Sequence, residues 1–169
     1  MHNMKYLLCI ILFLNLTAAA QVPLQFTIAG KVSKPVIVNM ESLKAYKSIS
    51  LDSMVIYSHL QQRKGSLKNI KGVLLKDLLS KVDIIAESPK KLSEYYIVCT
   101  ASDNYKVVYS WNEIFNSETG NHILVLSAFE TNPAKTEKGD IALITTSDFA
   151  TGRRFVKGLT KISILQINE

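Results

Sequence analysis

The residues best suited to chemistry lie near the C-terminal end, in the stretch TTSDFATGRRFVK over residues 145–157. Small hydroxyl side chains lead into Gly152, and Arg153, Arg154 and Lys157 follow. Glycine lets backbone N–H groups turn toward one shared anion. Arginine presents a planar fork that grips phosphate oxygens two at a time. Thr151, Gly152, Arg153, Arg154 and Lys157 are therefore candidate holders of a phosphate or carboxylate. The arginines would neutralise its charge, and Gly152 would allow close backbone approach. The same residues also suit an exposed basic turn that touches nothing.

Other single residues point less far. His59 follows an apolar run and precedes a basic one, so it could face an anion when protonated or simply sit in solvent. Cys99 lies between Val98 and Thr100 in a β-rich run and reads as a buried thiol rather than a nucleophile. Asp103 reads as a turn former, Trp111 as a packing anchor, and His122 carries no assigned role. The histidines lack the spacing of a zinc site. No nucleophile elbow and no P-loop is present.

These side chains need a scaffold. Residues 24–29, 36–38, 53–57, 95–101, 105–109, 123–129, 141–145 and 159–167 carry strand patterns. Asn39 is placed to cap a helix over residues 40–46, and Ser110 with Glu113 has capping-box spacing for a short helix carrying Trp111, Ile114 and Phe115. Leu74, Leu75, Leu78, Leu79 and Val82 share one face, which predicts a helix over residues 73–82. Gly30 and Lys31 suggest a turn. Residues 61–71 are polar and basic and read as an exposed loop, as do residues 131–139 with Pro133. Strands 95–101 and 105–109, joined by a short Asp/Asn turn, predict a hairpin. Seven or eight strands with three short helices, and no regular βαβ alternation, predict a compact, strand-rich α+β domain.

Length and composition bound the function. The chain has 169 residues, 47% hydrophobic and 20% charged, with seven Gly and four Pro, which suits one globular domain. The net charge of +6 favours weak contact with acidic partners, but no dense basic stripe with interleaved aromatics marks a nucleic-acid surface. Lys5, the apolar run over residues 6–14 and Thr17-Ala18-Ala19-Ala20 form a secretory signal pattern. A signal over residues 1–20 and a mature domain over 21–169 are expected, with periplasmic destination. The apolar run is too short for a stable membrane span. A lipid anchor at Cys9 is disfavoured, because only three residues separate it from Lys5.

Several segments, in order, resemble the sulfite oxidase-like molybdopterin-binding domain superfamily. Gly30-Lys31-Val32 with Lys34-Pro35-Val36 is similar to its G-x-V-x-x-P entry. Met40-Glu41-Ser42-Leu43 is similar to its s-x-e-d-L helix. The block from Lys71-Gly72-Val73 to Asp77-Leu78-Leu79 is similar to W/K-G-V-x-L-x-D-L-L. Ala101-Ser102-Asp103-Asn104-Tyr105 stands where the family has A-x-D-G-Y, and residues 140–159 resemble its ending. The resemblance covers residues 26–164. It implies a mostly β domain with a pterin pocket, in which catalytic members ligate molybdenum through a cysteine thiolate. Here that region, Val55-Ile56-Tyr57-Ser58-His59, has no cysteine, and Tyr57 or Ser58 falls at the ligand position. Molybdopterin, a pterin phosphate or another anionic small molecule is the ligand implied, with Tyr57 and His59 across the pocket from residues 151–157. The resemblance leaves three roles open. They are a binding module without molybdenum redox chemistry, a molybdopterin-dependent oxidoreductase with a non-cysteine metal environment, and a non-catalytic structural or interaction protein.

Overall fold

The computed structural model describes residues 24–131 and 141–167, so the expected signal segment lies outside the described residues, as does the expected loop over 131–139 apart from Thr131. The strands are β1 (Gln25–Gly30), β2 (Val36–Asn39), β3 (Ile49–Tyr57), β4 (Arg63–Leu74), β5 (Tyr95–Ala101), β6 (Lys106–Ser110), β7 (Ile123–Glu130), β8 (Ala142–Thr145), β9 (Val156–Lys157) and β10 (Leu159–Gln166). Three short helices join them, α1 (Met40–Leu43), α2 (Leu75–Leu79) and α3 (Trp111–Phe115), with 3-10 turns at Pro89–Glu94, Glu118–Asn121 and Thr151–Arg154. The domain is strand-rich α+β, as the sequence predicts.

Two five-stranded sheets form the body. The first has the order β2-β1-β10-β5-β6 and is mixed, because β1 runs parallel to β10 while its other pairs are antiparallel. The second has the order β3-β4-β7-β8-β9 and is wholly antiparallel. Between them lies the larger core, in which Phe26, Ile97, Cys99 and Ile162 of the first sheet pack with Val73, Val125 and Leu143 of the second. The run Ile123 to Leu126 is buried at every position. Alternate side chains of a strand point to opposite faces, so this strand is covered on both.

The cover on the far face comes from the second sheet itself. Leu67, Ile70, Leu124, Leu126, Ile144 and Phe155 form a second core, against which Ile49, Leu51, Met54 and Ile56 of β3 pack. The sheet rolls round this core until its β3 edge meets the Thr151–Arg154 turn near the opposite edge. The Tyr57 N–H donates to Thr151 Oγ1 at 3.0 Å, and Thr151 Oγ1 donates to the Val55 carbonyl at 3.0 Å. The result is a half-barrel whose open mouth lies at the β3–β4 hairpin.

Local chemistry sets the element ends. The Asn39 side chain accepts from the Ser42 N–H at 2.9 Å, and Ser42 Oγ accepts from the Asn39 N–H at 2.8 Å. The capping box at α3 forms as predicted, with Ser110 Oγ accepting from the Glu113 N–H and Glu113 Oε2 from the Ser110 N–H. The hairpin between β5 and β6 turns on Asp103, whose Oδ1 accepts from the Tyr105 N–H at 3.1 Å.

Two expectations fail, and the helix expected over 40–46 stops early, at Leu43 with Lys44 as its C-cap. Residues 61–71 are not a loop, because β4 runs from Arg63 through them as an interior strand. Asn69 takes a positive φ of 50°, and the pairing with β7 shifts register between Lys68 and Lys71. A bulge of this kind adds a residue to one strand. It spaces the buried Leu67 and Ile70 three apart, which hides the two-residue period. The second failure is the helix over 73–82. Val73 and Leu74 pair with Val125 and Leu124 and complete β4, so only Leu75–Leu79 is helical. Val73 faces the core between the sheets and Leu74 packs on the second core, so the apolar run continues from strand into helix with no polar break to mark the boundary.

Candidate functional site

A cavity of about 400 Å³ opens at the mouth of the half-barrel. It is lined from three directions. The end of β3 and the hairpin turn bring Ile56, Tyr57, Ser58 and His59; the start of β4 brings Lys64, Gly65, Ser66 and Leu67; the C-terminal turn and β9 bring Gly152, Arg153, Phe155 and Lys157, with Thr131 beside them. Among the described lining residues none is acidic, and four are basic or can become so. The floor is apolar and buried, with Leu67 1% and Phe155 8% exposed, whereas His59, Lys64 and Arg153 are exposed.

The hairpin turn that carries His59 has a local cause. The Ser58 N–H donates to the Gln62 carbonyl at 2.9 Å, and Ser58 Oγ accepts from the N–H groups of Leu60 and Gln62 at 3.3 Å each. A short hydroxyl side chain satisfying its own turn is a common device. It leaves His59 and Leu60 at the exposed tip.

The C-terminal turn divides the predicted site residues into two groups. Gly152 and Arg153 line the cavity with Tyr57, His59 and Lys157. Tyr105 Oη donates to the Arg153 carbonyl at 2.5 Å and the Arg153 N–H to the Ala150 carbonyl at 2.8 Å, so this backbone is held from both sides. The Lys157 ammonium lies 5.2 Å from the centre of the Phe155 ring, over its face.

Thr151 and Arg154 face the protein instead. Thr151 is 5% exposed and spends its hydroxyl on β3. Arg154 grips Asp148 with two parallel bonds, Nε to Oδ2 at 2.7 Å and Nη2 to Oδ1 at 2.5 Å, and its Nη1 reaches Glu113 Oε1 at 2.9 Å. Its guanidinium stands 4.7 Å above the Tyr109 ring. Bonding to Asp148 drives the Arg154 pKa upward, so the group is a permanent internal cation. It ties the turn to α3 and β6 rather than offering charge to a ligand.

Gly152 also has a reason other than ligand approach. A Cβ there would stand 2.8 Å from the Tyr57 carbonyl oxygen and 3.2 Å from Ile56 Cγ2. The missing side chain lets the turn lie directly on β3, which closes the roll of the sheet.

The sequence reading left out Lys64, Ser66, Leu67 and Phe155. The pairing of Tyr57 with Arg63 brings the start of β4 back beside β3. That pairing was the available signal, and reading 61–71 as a loop concealed it.

Cys99 sits in mid-β5, 0% exposed in the core between the sheets. Burial pushes its thiol pKa well up, so it is an inert protonated thiol, remote from the cavity lining. Among the described residues no three His, Cys, Asp or Glu side chains converge as a metal site. At the cavity, Tyr57, Ser58 and His59 offer phenol, hydroxyl and imidazole and no sulfur. This donor set lacks the cysteine thiolate through which catalytic members of the resembled superfamily ligate molybdenum. Phe149 is 90% exposed and is not among the residues that line the hollow.

No family model matches this sequence, and no curated protein sequence matches it. The fold has a counterpart in the sulfane dehydrogenase SoxCD from Paracoccus pantotrophus, with a TM-score of 0.55 and 12% sequence identity. The match covers 83% of this chain but only 37% of that one. At this identity the likeness is one of fold alone.

Proposed function

We propose that this protein is a binding module that takes an anionic small molecule at the mouth of the half-barrel, without molybdenum redox chemistry. One observation carries the reading: His59, Lys64, Arg153 and Lys157, drawn from three segments, line one hollow in which no described residue is acidic. Cations gathered on a concave, partly apolar surface favour an anion, because the low-dielectric wall strengthens their field. The distant fold likeness makes a pterin phosphate the first anion to test at this site, held by its phosphate and not through a metal. Lys64 and Arg153 would pair with phosphate oxygens, and Ser58 and Ser66 lie within the same lining to accept or donate hydrogen bonds.

Calorimetric titration with 6-hydroxymethylpterin phosphate, with inorganic phosphate as comparator, tests this. The double variant Lys64→Glu with Arg153→Glu should bind about a hundredfold more weakly, since two charge-assisted contacts become repulsive. Both side chains are exposed, so the fold should survive. Unchanged affinity would remove these residues from the site, and a wild-type protein inert to both probes would end the reading.

The secretory pattern over residues 1–20 completes the proposal with a periplasmic location. N-terminal sequencing of protein from the periplasmic fraction should begin at Gln21. Recovery of the chain only from the cytoplasm, still starting at Met1, contradicts it.

A further inference from the structure

The cavity has two unlike halves, and together they narrow the ligand class. Its rim is exposed and carries the cations Lys64 and Arg153 beside the imidazole of His59. Its floor is Ile56, Leu67 and Phe155, which belong to the second core or pack directly on it. The hollow is therefore floored by side chains of the half-barrel's own core. No carboxylate or carboxamide side chain lies among the described lining residues. A ligand ring rich in N–H and amino groups would leave those donors poorly matched against such a floor.

We propose that the ligand is an amphiphilic anion, a phosphate or carboxylate bearing a short alkyl or aryl body, with the charged end at the rim and the body on the floor. This rests on the reading of the cavity as an anion site. The volume of about 400 Å³ is near the small end of ligand pockets, roughly 300–1,000 Å³. It suits one short chain or one ring.

The test is a titration series of inorganic, ethyl, butyl and hexyl phosphate against the full mature chain. Burial of each methylene should tighten binding about fourfold until the floor is covered. An Ile56→Ser variant should keep the affinity for inorganic phosphate and lose part of the gain per methylene. Equal affinity for all four phosphates overturns the amphiphile while leaving the anion site in place. Failure of all four to bind removes both together. Tighter binding of 6-hydroxymethylpterin phosphate than of hexyl phosphate also overturns the apolar preference and returns the site to the pterin reading.

Discussion

Replacing Arg154 with methionine is expected to lower the thermal midpoint by roughly 5–10 °C, corresponding to about 2–3 kcal/mol. The side chain of Arg154 is 23% exposed and that of Asp148 16%, so both partners are largely desolvated. Without the guanidinium, Asp148 keeps its charge in that setting with no fork to hold it, and Glu113 loses its partner on Oε1. The residual exposure places the effect below the roughly 3–5 kcal/mol of a fully buried pair. Methionine retains much of the contact over the Tyr109 ring, so the loss reports charge and hydrogen bonding more than packing. Lysine at the same position should fall between, since it restores the charge but not the bidentate geometry. The variant should also weaken anion binding modestly, because the turn carrying Arg153 is tethered through its neighbour. Calorimetric melts of the three proteins check the order. A methionine variant that melts within about a degree of the parent would show that the network contributes little.

A second large effect is expected at Gly30, where alanine should remove about 3–5 kcal/mol of stability. Gly30 ends β1 with φ of 103°, a conformation that side chains strongly disfavour. A Cβ would stand 2.1 Å from the Ile164 carbonyl oxygen. That oxygen accepts the Lys31 N–H at 2.8 Å, just where β1 leaves its parallel pairing with β10. Both objections are backbone against backbone, so no side-chain rotation relieves them. A loss of this size approaches the whole stability of a marginal domain. Urea unfolding followed by circular dichroism reads it as a fall in midpoint with little change in slope. A midpoint matching the parent protein would mean that the strand end shifts freely.

Most strands were legible because their signals are local. The β5–β6 hairpin, the N-cap at Asn39, the capping box at Ser110, and β7, β8 and β10 all follow from residues within a few positions of one another. The two misreadings share one cause. At Asn69 a bulge breaks the alternation of β4, and at Val73 and Leu74 an apolar core on each face removes the contrast between faces. Periodicity reports an environment that differs between faces, so it fails where the environment is uniform or the register slips.

The candidate site was half legible. The sequence by itself determined that a glycine and three cations cluster over residues 152–157, and that the region around Tyr57 holds no sulfur for a metal. Adjacent arginines look alike in one dimension, however, and only the tertiary structure parted them. Arg153 turns to the cavity, while Asp148, Glu113 and the Tyr109 ring claim Arg154. The same folding returned Lys64 beside Tyr57 and set Leu67 and Phe155 beneath the rim. Charge is a property of the residue, but whether that charge is spent internally or offered to a ligand depends on which distant partners the chain brings within hydrogen-bond reach.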